Sequence, residues 1–403
     1  MALLPLRGVH VVDFCSNIAG PFASMILAQL GADVVSVESP TGDDARHYAS
    51  RLGGADGEDS VVHHYVGAGK RSVVLDLKSP AGLEAALDLI AGADVVIQSM
   101  RPGVAERLGI GADAARMRNP DVLYYDVNAF GTGPSGRELP GYDPLVQAFS
   151  GIMEMTGHED GPPTRCAPSV VDLGTGQWVA LGVVAALLAR SRGERVDRME
   201  TALVDTAFSL VAYQATTAAV TGRRPPRAGS GNPIAAPYQC YPASDGHLLI
   251  AAANQRLWEA TAHALGAPHL ITDERFADMV CRTRNLDALN EAIGQITSRA
   301  GVDEWVARLR AAGVPAGTVH GLEDAVRTDV ARERATIQPA GDVPLVRLPW
   351  LADGEALPWR GPSNGRAPRL GEHTEQVLKD LGYPPERIAE LTTPANPPRE
   401  ETA

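Results

Sequence analysis

Five short β-rich runs in the first third of the chain, at 9–14, 33–37, 72–77, 94–98 and 122–127, constrain its fold more than any other feature. They are dense in valine, and helical patterns separate several of them, clearest at 21–30 and 81–91. Strands that alternate with helices are joined by crossovers, and crossovers make neighbouring strands parallel. The expected fold class is therefore α/β with a Rossmann-like parallel sheet. A dinucleotide site does not follow, because the segment after the first run, Asp13-Phe-Cys-Ser-Asn-Ile-Ala-Gly20-Pro21, has no GxGxxG. It has one glycine, and Pro21 suits the first turn of a helix.

A chain of 403 residues is too long for one typical domain. Helices are expected at 172–189 and 201–220. A Pro/Gly/Arg-rich stretch, 221–233, then reads as a linker. Beyond it, runs at 238–241 and 247–253 flank an Asp245-Gly246 turn, a hairpin pattern, and helical segments follow at 255–265, 286–298 and 302–312. The expected organisation is a large domain at 1–220, the linker at 221–233, a small domain at 234–330, and a return to the large domain with a tail at 331–403, helical at 374–382.

The net charge of −13, with no Lys/Arg block interleaved with aromatics, argues against nucleic acid as a partner. Cys15, Cys166, Cys240 and Cys281 are isolated, so neither a metal site nor a disulfide framework is expected. The first eight residues carry no leader pattern, and no uninterrupted apolar run reaches the roughly 18 residues of a membrane span. The expectation is a cytoplasmic protein without a membrane partner.

One segment stands out chemically. Pro168-Ser-Val-Val-Asp172-Leu-Gly-Thr-Gly176 leads into the apolar run 178–188, placing Asp172 at or near a helix N-cap. Unpaired N–H groups there favour a carboxylate, and Gly174 and Gly176 would let a substrate approach the backbone. A carboxylate so placed can attack an acyl carbon; an ordinary N-cap is the structural alternative.

Further phrases accumulate in order: Gly31-Ala32-Asp33-Val34-Val35, Gly69-Lys70-Arg71-Ser72, Leu75-Asp76-Leu77-Lys78, Arg101-Pro102-Gly103, Glu106-Arg107-Leu108-Gly109, Pro140-Gly141-Tyr142-Asp143, Ala236-Pro237-Tyr238, Ala312-Gly313-Val314-Pro315, and Leu370-Gly371-Glu372-His373-Thr374. With Asp172, from about residue 6 to residue 382, they resemble the family III CoA-transferases of the formyl-CoA and carnitine CoA-transferase type, whose fold is shared with α-methylacyl-CoA racemases. The resemblance implies a large Rossmann-like domain built from both chain ends, a smaller inserted α+β domain, and an interlocked homodimer. It implies CoA transfer between an acyl-CoA and a carboxylic acid, with no cofactor beyond CoA as substrate and no metal.

The resemblance assigns Asp172 as nucleophile and Tyr142 and Asp143 as groups that orient or polarise beside it. Leu75, Lys78, Ser99, Met100 and Arg107 would hold CoA, Tyr48 would line the acyl pocket, and Asn254 or Gln255, both placed at the substrate pocket, could donate a side-chain amide. The chain departs from the family pattern at Ser39, at Gly67-Ala68, at Ser99-Met100, and at Ala251-Ala252-Ala253, where the family has a glycine-rich loop. That loop argues against formate/oxalate specificity. Racemases of this fold carry histidine where Tyr142 stands, and proton exchange at an α-carbon needs two bases. A racemase-like isomerase is therefore the second reading, and a catalytically silent CoA-binding protein the third. His63 and His64 lie near Tyr48 in sequence, and Arg46, Arg137 and Arg165 remain open as acceptor-site cations.

Overall fold

The computed structural model describes residues 3–50 and 59–392. The chain divides into two compact units: Met1–Ser150 with Ala167–Ala212 and Asp329–Ala403, and Gly151–Cys166 with Tyr213–Thr328.

The first unit holds a six-stranded sheet: β1 (His10–Phe14), β2 (Asp33–Glu38), β3 (Arg71–Val74), β4 (Val95–Gln98), β5 (Leu123–Asn128) and β6 (Arg198–Ala202). Every pairing is parallel and the order is β3-β2-β1-β4-β5-β6. That is the doubly wound order, in which the crossover direction reverses between β1 and β4 and leaves a crevice at the strands' C-terminal ends. The five expected strands are present within a few residues, and β4 and β5 are buried along their whole length. The sixth was not expected: 198–202 is half polar and short, and the helix expected at 201–220 is two, Leu203–Leu210 and Ala212–Thr221.

Local chemistry explains the helices that matter. Pro80–Ala91 begins with Ser79 accepting from Gly82 N and Pro80 in its first turn. Ala19–Gln29 is buried on all sides, between the sheet and the long helix Val170–Ser191. Gly176 permits that packing: a Cβ there would stand 2.7 Å from Ala19 O and 2.8 Å from Phe22 Cδ1. Its expected service to a substrate is thus corrected, since a neighbouring helix fills the space. Gly176→Ala should lower stability by about 1–3 kcal/mol through overpacking, measured by denaturant unfolding.

Val170–Ser191 is also long and apolar enough, by length and composition, to cross a membrane. This corrects the expectation that no apolar stretch is long enough for a membrane span; Asp172, Thr175 and Gln177 interrupt the apolar residues of this helix without lowering its hydropathy below that of a span. The helix carries Asp172 in its first turn, buries Val171, Val179 and Val183 in the unit, and leaves Trp178, Leu181 and Leu188 exposed.

The phrases from the sequence acquire structural roles. Lys70 Nζ pairs with Asp13 Oδ2 at 3.0 Å, both side chains being out of water, and the Ser24 hydroxyl donates to the same carboxylate. At the exposed edge of β3, Ser72 N donates to His373 Nδ1 (3.2 Å) and Val74 N to Thr374 Oγ1 (3.0 Å). The Leu370–Thr374 phrase thereby satisfies an edge that would otherwise offer free N–H groups.

The second unit has an antiparallel sheet in the order β7-β8-β9, with β7 (Tyr238–Ala243), β8 (Gly246–Ala251) and β9 (Ala316–Thr318). Helices Gln255–Ala264, Met279–Arg284, Leu286–Thr297 and Val302–Ala311 bury Trp258, Phe276 and Trp305 in its core.

Candidate active site

The β1–β4 crevice is where the site assembles. Ser16, just past β1, donates its backbone N–H to Ser99 Oγ, just past β4, at 2.9 Å. Around this junction lies a cavity of about 110 Å³ whose lining includes Asn17, Tyr48, Ser99, Asn128, Tyr142 and Asp172. The structure therefore brings together four residues that the sequence assigned to different tasks: Tyr48, Ser99, Tyr142 and Asp172. All belong to the first unit.

Asp172 is the third residue of its helix, whose N-cap is Ser169. The free N–H groups of that first turn do not reach its carboxylate. They go to Asp143, whose Oδ2 accepts from Val171 N (2.8 Å) and Asp172 N (3.2 Å), while Oδ1 accepts from Gln147 Nε2 (2.5 Å). Asp143 is 1% exposed, so it is a buried carboxylate completed by three donors. Asp172's own carboxylate has no hydrogen-bond partner among the described residues. Burial, and then the charge of Asp143, push Asp172 up to about 7. The expectation that free N–H groups favour an Asp172 carboxylate is corrected: near neutrality the group is poised between its two forms.

Tyr142 precedes the Asp143–Phe149 helix and is 56% exposed at the cavity. Tyr48 donates to Asn17 Oδ1 at 2.6 Å. Burial, reinforced by the charge of Asp43 and by Tyr142, Asp44 and Asp172, holds the Tyr48 phenol above its ordinary range, so it stays a donor. Asn17 was missed by sequence reasoning. Its left-handed backbone, φ 67°, turns the chain at the end of β1, and only a short Asn between a strand and a helix hinted at it. Asp43 accepts from Asn17 N and Ala45 N, and burial lifts its carboxyl to about 6.

The remaining assigned residues divide. Leu75 is buried in the core, its N–H bonded to Glu38 O. Lys78 and Arg107 are exposed and make no ion pair among the described residues. Met100 packs partly on the core and lines a hollow of about 340 Å³ with Gly103, Arg137 and Arg198. In the second unit, Asn254 Oδ1 caps its helix by accepting from Leu257 N, and its Nδ2 has no partner among the described residues. Gln255 is engaged at both ends, by Arg282 and by Glu259. His63 is buried against Pro368 O, with burial and then Arg46 pushing it down to about 4. Arg46 is itself 2% exposed and locked by Glu38 at 2.7 Å, which removes it as an acceptor-site cation.

Residues 6–374 match CoA-transferase family III. A succinate–glutarate CoA-transferase of Agrobacterium fabrum is 32% identical, the alignment covering 97% of this chain and 98% of that protein. A succinyl-CoA:mesaconate CoA-transferase of Haloarcula hispanica is 34% identical over 94% of this chain and 96% of its own. Among solved structures, a CAIB/BAIF family protein from Brucella suis superposes with a TM-score of 0.83 at 32% identity, covering 94% of this chain and 99% of that one.

Proposed function

The chain belongs to CoA-transferase family III, and from that premise we propose that Asp172 carries CoA between two acids through covalent aspartyl intermediates. One observation supports this most: among the described residues, the one carboxyl that lines the switch-point cavity is also one that no protein donor occupies.

In the proposed sequence an Asp172 carboxylate oxygen attacks the donor thioester carbonyl. The C–S bond breaks, CoA leaves as the thiolate, and an aspartyl anhydride remains. The thiolate attacks the Asp172 acyl carbon, expelling the donor acid as its carboxylate and forming an aspartyl-CoA thioester. The acceptor carboxylate attacks that thioester, and the released thiolate then attacks the acceptor acyl carbon, restoring Asp172. The cycle is balanced without water or net proton transfer.

Each attack develops an oxyanion that needs fixed donors. The Asn17 amide and the Tyr142 hydroxyl, both of residues that line the cavity, are the proposed donors. Asp143 supports Asp172 by holding its helix turn and by tuning its proton affinity. Lys78, Arg107 and the Ser99-Met100 pair are proposed CoA contacts, with a homodimer as the working assembly.

By the relatives' names, a succinyl-CoA donor and a small dicarboxylic acceptor form the first pair to test. Purified protein mixed with succinyl-CoA and separate mono- and dicarboxylic acids in D2O is expected to yield new acyl-CoA species free of carbon-bound deuterium, read by mass spectrometry. Deuterium appearing at the α-carbon of an unchanged acyl-CoA would overturn transfer in favour of isomerisation.

A further inference from the structure

Three hydrogen bonds outside the reacting groups converge on one carboxylate. Asp43 accepts the Asn17 backbone N–H with both oxygens, Oδ1 at 3.0 Å and Oδ2 at 3.2 Å. The same Oδ1 accepts Ala45 N at 2.9 Å and so caps the short 3₁₀ turn Asp44–His47, which ends at Tyr48. The two residues held from either side, Asn17 and Tyr48, are joined by the 2.6 Å bond at the cavity. Asp43 is itself anchored, its N–H donating to Glu38 Oε2 at 3.2 Å, and Glu38 is locked to Arg46.

The chemistry of an amide makes this clamp consequential. Because the Tyr48 hydroxyl donates, it selects the Asn17 oxygen, and the Asn17 Nδ2 must face the other way. There it reaches Ser16 Oγ at 3.3 Å and keeps a second N–H for an acceptor in the cavity. Asn17's left-handed backbone costs about 1 kcal/mol for a residue with a side chain, and a non-glycine holds it only where surrounding bonds enforce it. Asp43 supplies two such bonds.

We propose that Asp43 is a positioning residue for CoA transfer: it touches no substrate, and by fixing the Asn17 backbone and the turn that carries Tyr48 it aims the Asn17 amide into the cavity beside Asp172. The inference rests on the assignment of Asp172 as the nucleophile.

The test is a double-substitution cycle on steady-state exchange. Asp43→Ala is expected to lower kcat about 10- to 100-fold, as displacements of about 1 Å in a site do, with KM for the acyl-CoA changed less than about 3-fold. Asp43→Asn keeps one oxygen for both N–H groups and should recover most of the rate. Asn17→Gly accepts the left-handed backbone but lacks the amide, so adding Asp43→Ala to it should cost less than about a further 3-fold. If Asp43→Ala does not fold, Asp43→Ser replaces it, since serine still caps the turn but is too short to clamp Asn17. Independent, multiplicative losses in the double variant, or a full rate in the single one, would overturn the role of Asp43 alone. A wild-type protein without exchange would overturn the Asp172 assignment and this inference together.

Discussion

Asp172→Asn is expected to remove CoA transfer by at least about four orders of magnitude, because the proposed anhydride and CoA thioester both form on a carboxylate, and Asp172 carries the one carboxylate that lines the cavity among the described residues. The same substitution should make the protein more stable. Asp172 is half-buried, beside Asp143 and, among the described residues, without a hydrogen-bond partner for its carboxylate, and its proton affinity rises to about 7. A carboxyl whose folded value lies above its unfolded value of about 4 holds a proton in the native state that the unfolded chain has released. Stability therefore falls as pH climbs from about 4 to about 7, and the full penalty persists above that. The shift corresponds to at most about 4 kcal/mol, and water at this half-buried position reduces it to about 1–2 kcal/mol. Thermal unfolding at about pH 8 should show the Asn variant a few degrees higher, with the difference vanishing near pH 4. An unchanged or lowered melting temperature at both pH values would contradict the unpaired buried carboxylate.

Asp143 should produce the largest loss of stability in the site. Asp143→Ala strands Val171 N, Asp172 N and the Gln147 amide in a buried place, at about 1–3 kcal/mol for each donor not rescued by water. Several kcal/mol and fraying of the Asp172 turn are expected, measured by denaturant unfolding and amide exchange. Asp143→Asn separates the two roles, as it keeps an acceptor oxygen but removes the charge. Without that charge Asp172 ionises at lower pH, so the acid limb of kcat/KM, expected near pH 7 in the wild type, should move toward lower pH. An acid limb that stays in place would mean that burial alone sets the Asp172 value.

Much of this was legible in the residues. The valine-dense runs predicted five strands because a parallel sheet buried on both faces needs continuous apolar segments. Asp172 was legible because Gly, Pro and a carboxylate ahead of an apolar run mark a helix start. What the sequence hid depends on contacts between distant segments. Asp143 serves a helix that begins 27 residues further along, so nothing local announced that Asp172 would lose its expected N–H partners. Asp43 and Asn17, 26 residues apart, meet only because β1 and β2 pair side by side. The strand at Arg198–Ala202 has no hydrophobic run to announce it, and its place at the end of the sheet follows from pairing with β5. Gly176 looked like room for a ligand because sequence does not show that another helix needs the space.

The most direct test of the nucleophile is to capture it. The protein incubated with succinyl-CoA, then treated with borohydride and digested, should yield the peptide spanning residue 172 with that aspartate reduced to homoserine, since a thioester is reduced and a free carboxylate is not. The same treatment of Asp172→Asn should leave every peptide unchanged. Reduction at another residue, or none in a preparation that is actively exchanging CoA, would contradict the covalent role of Asp172.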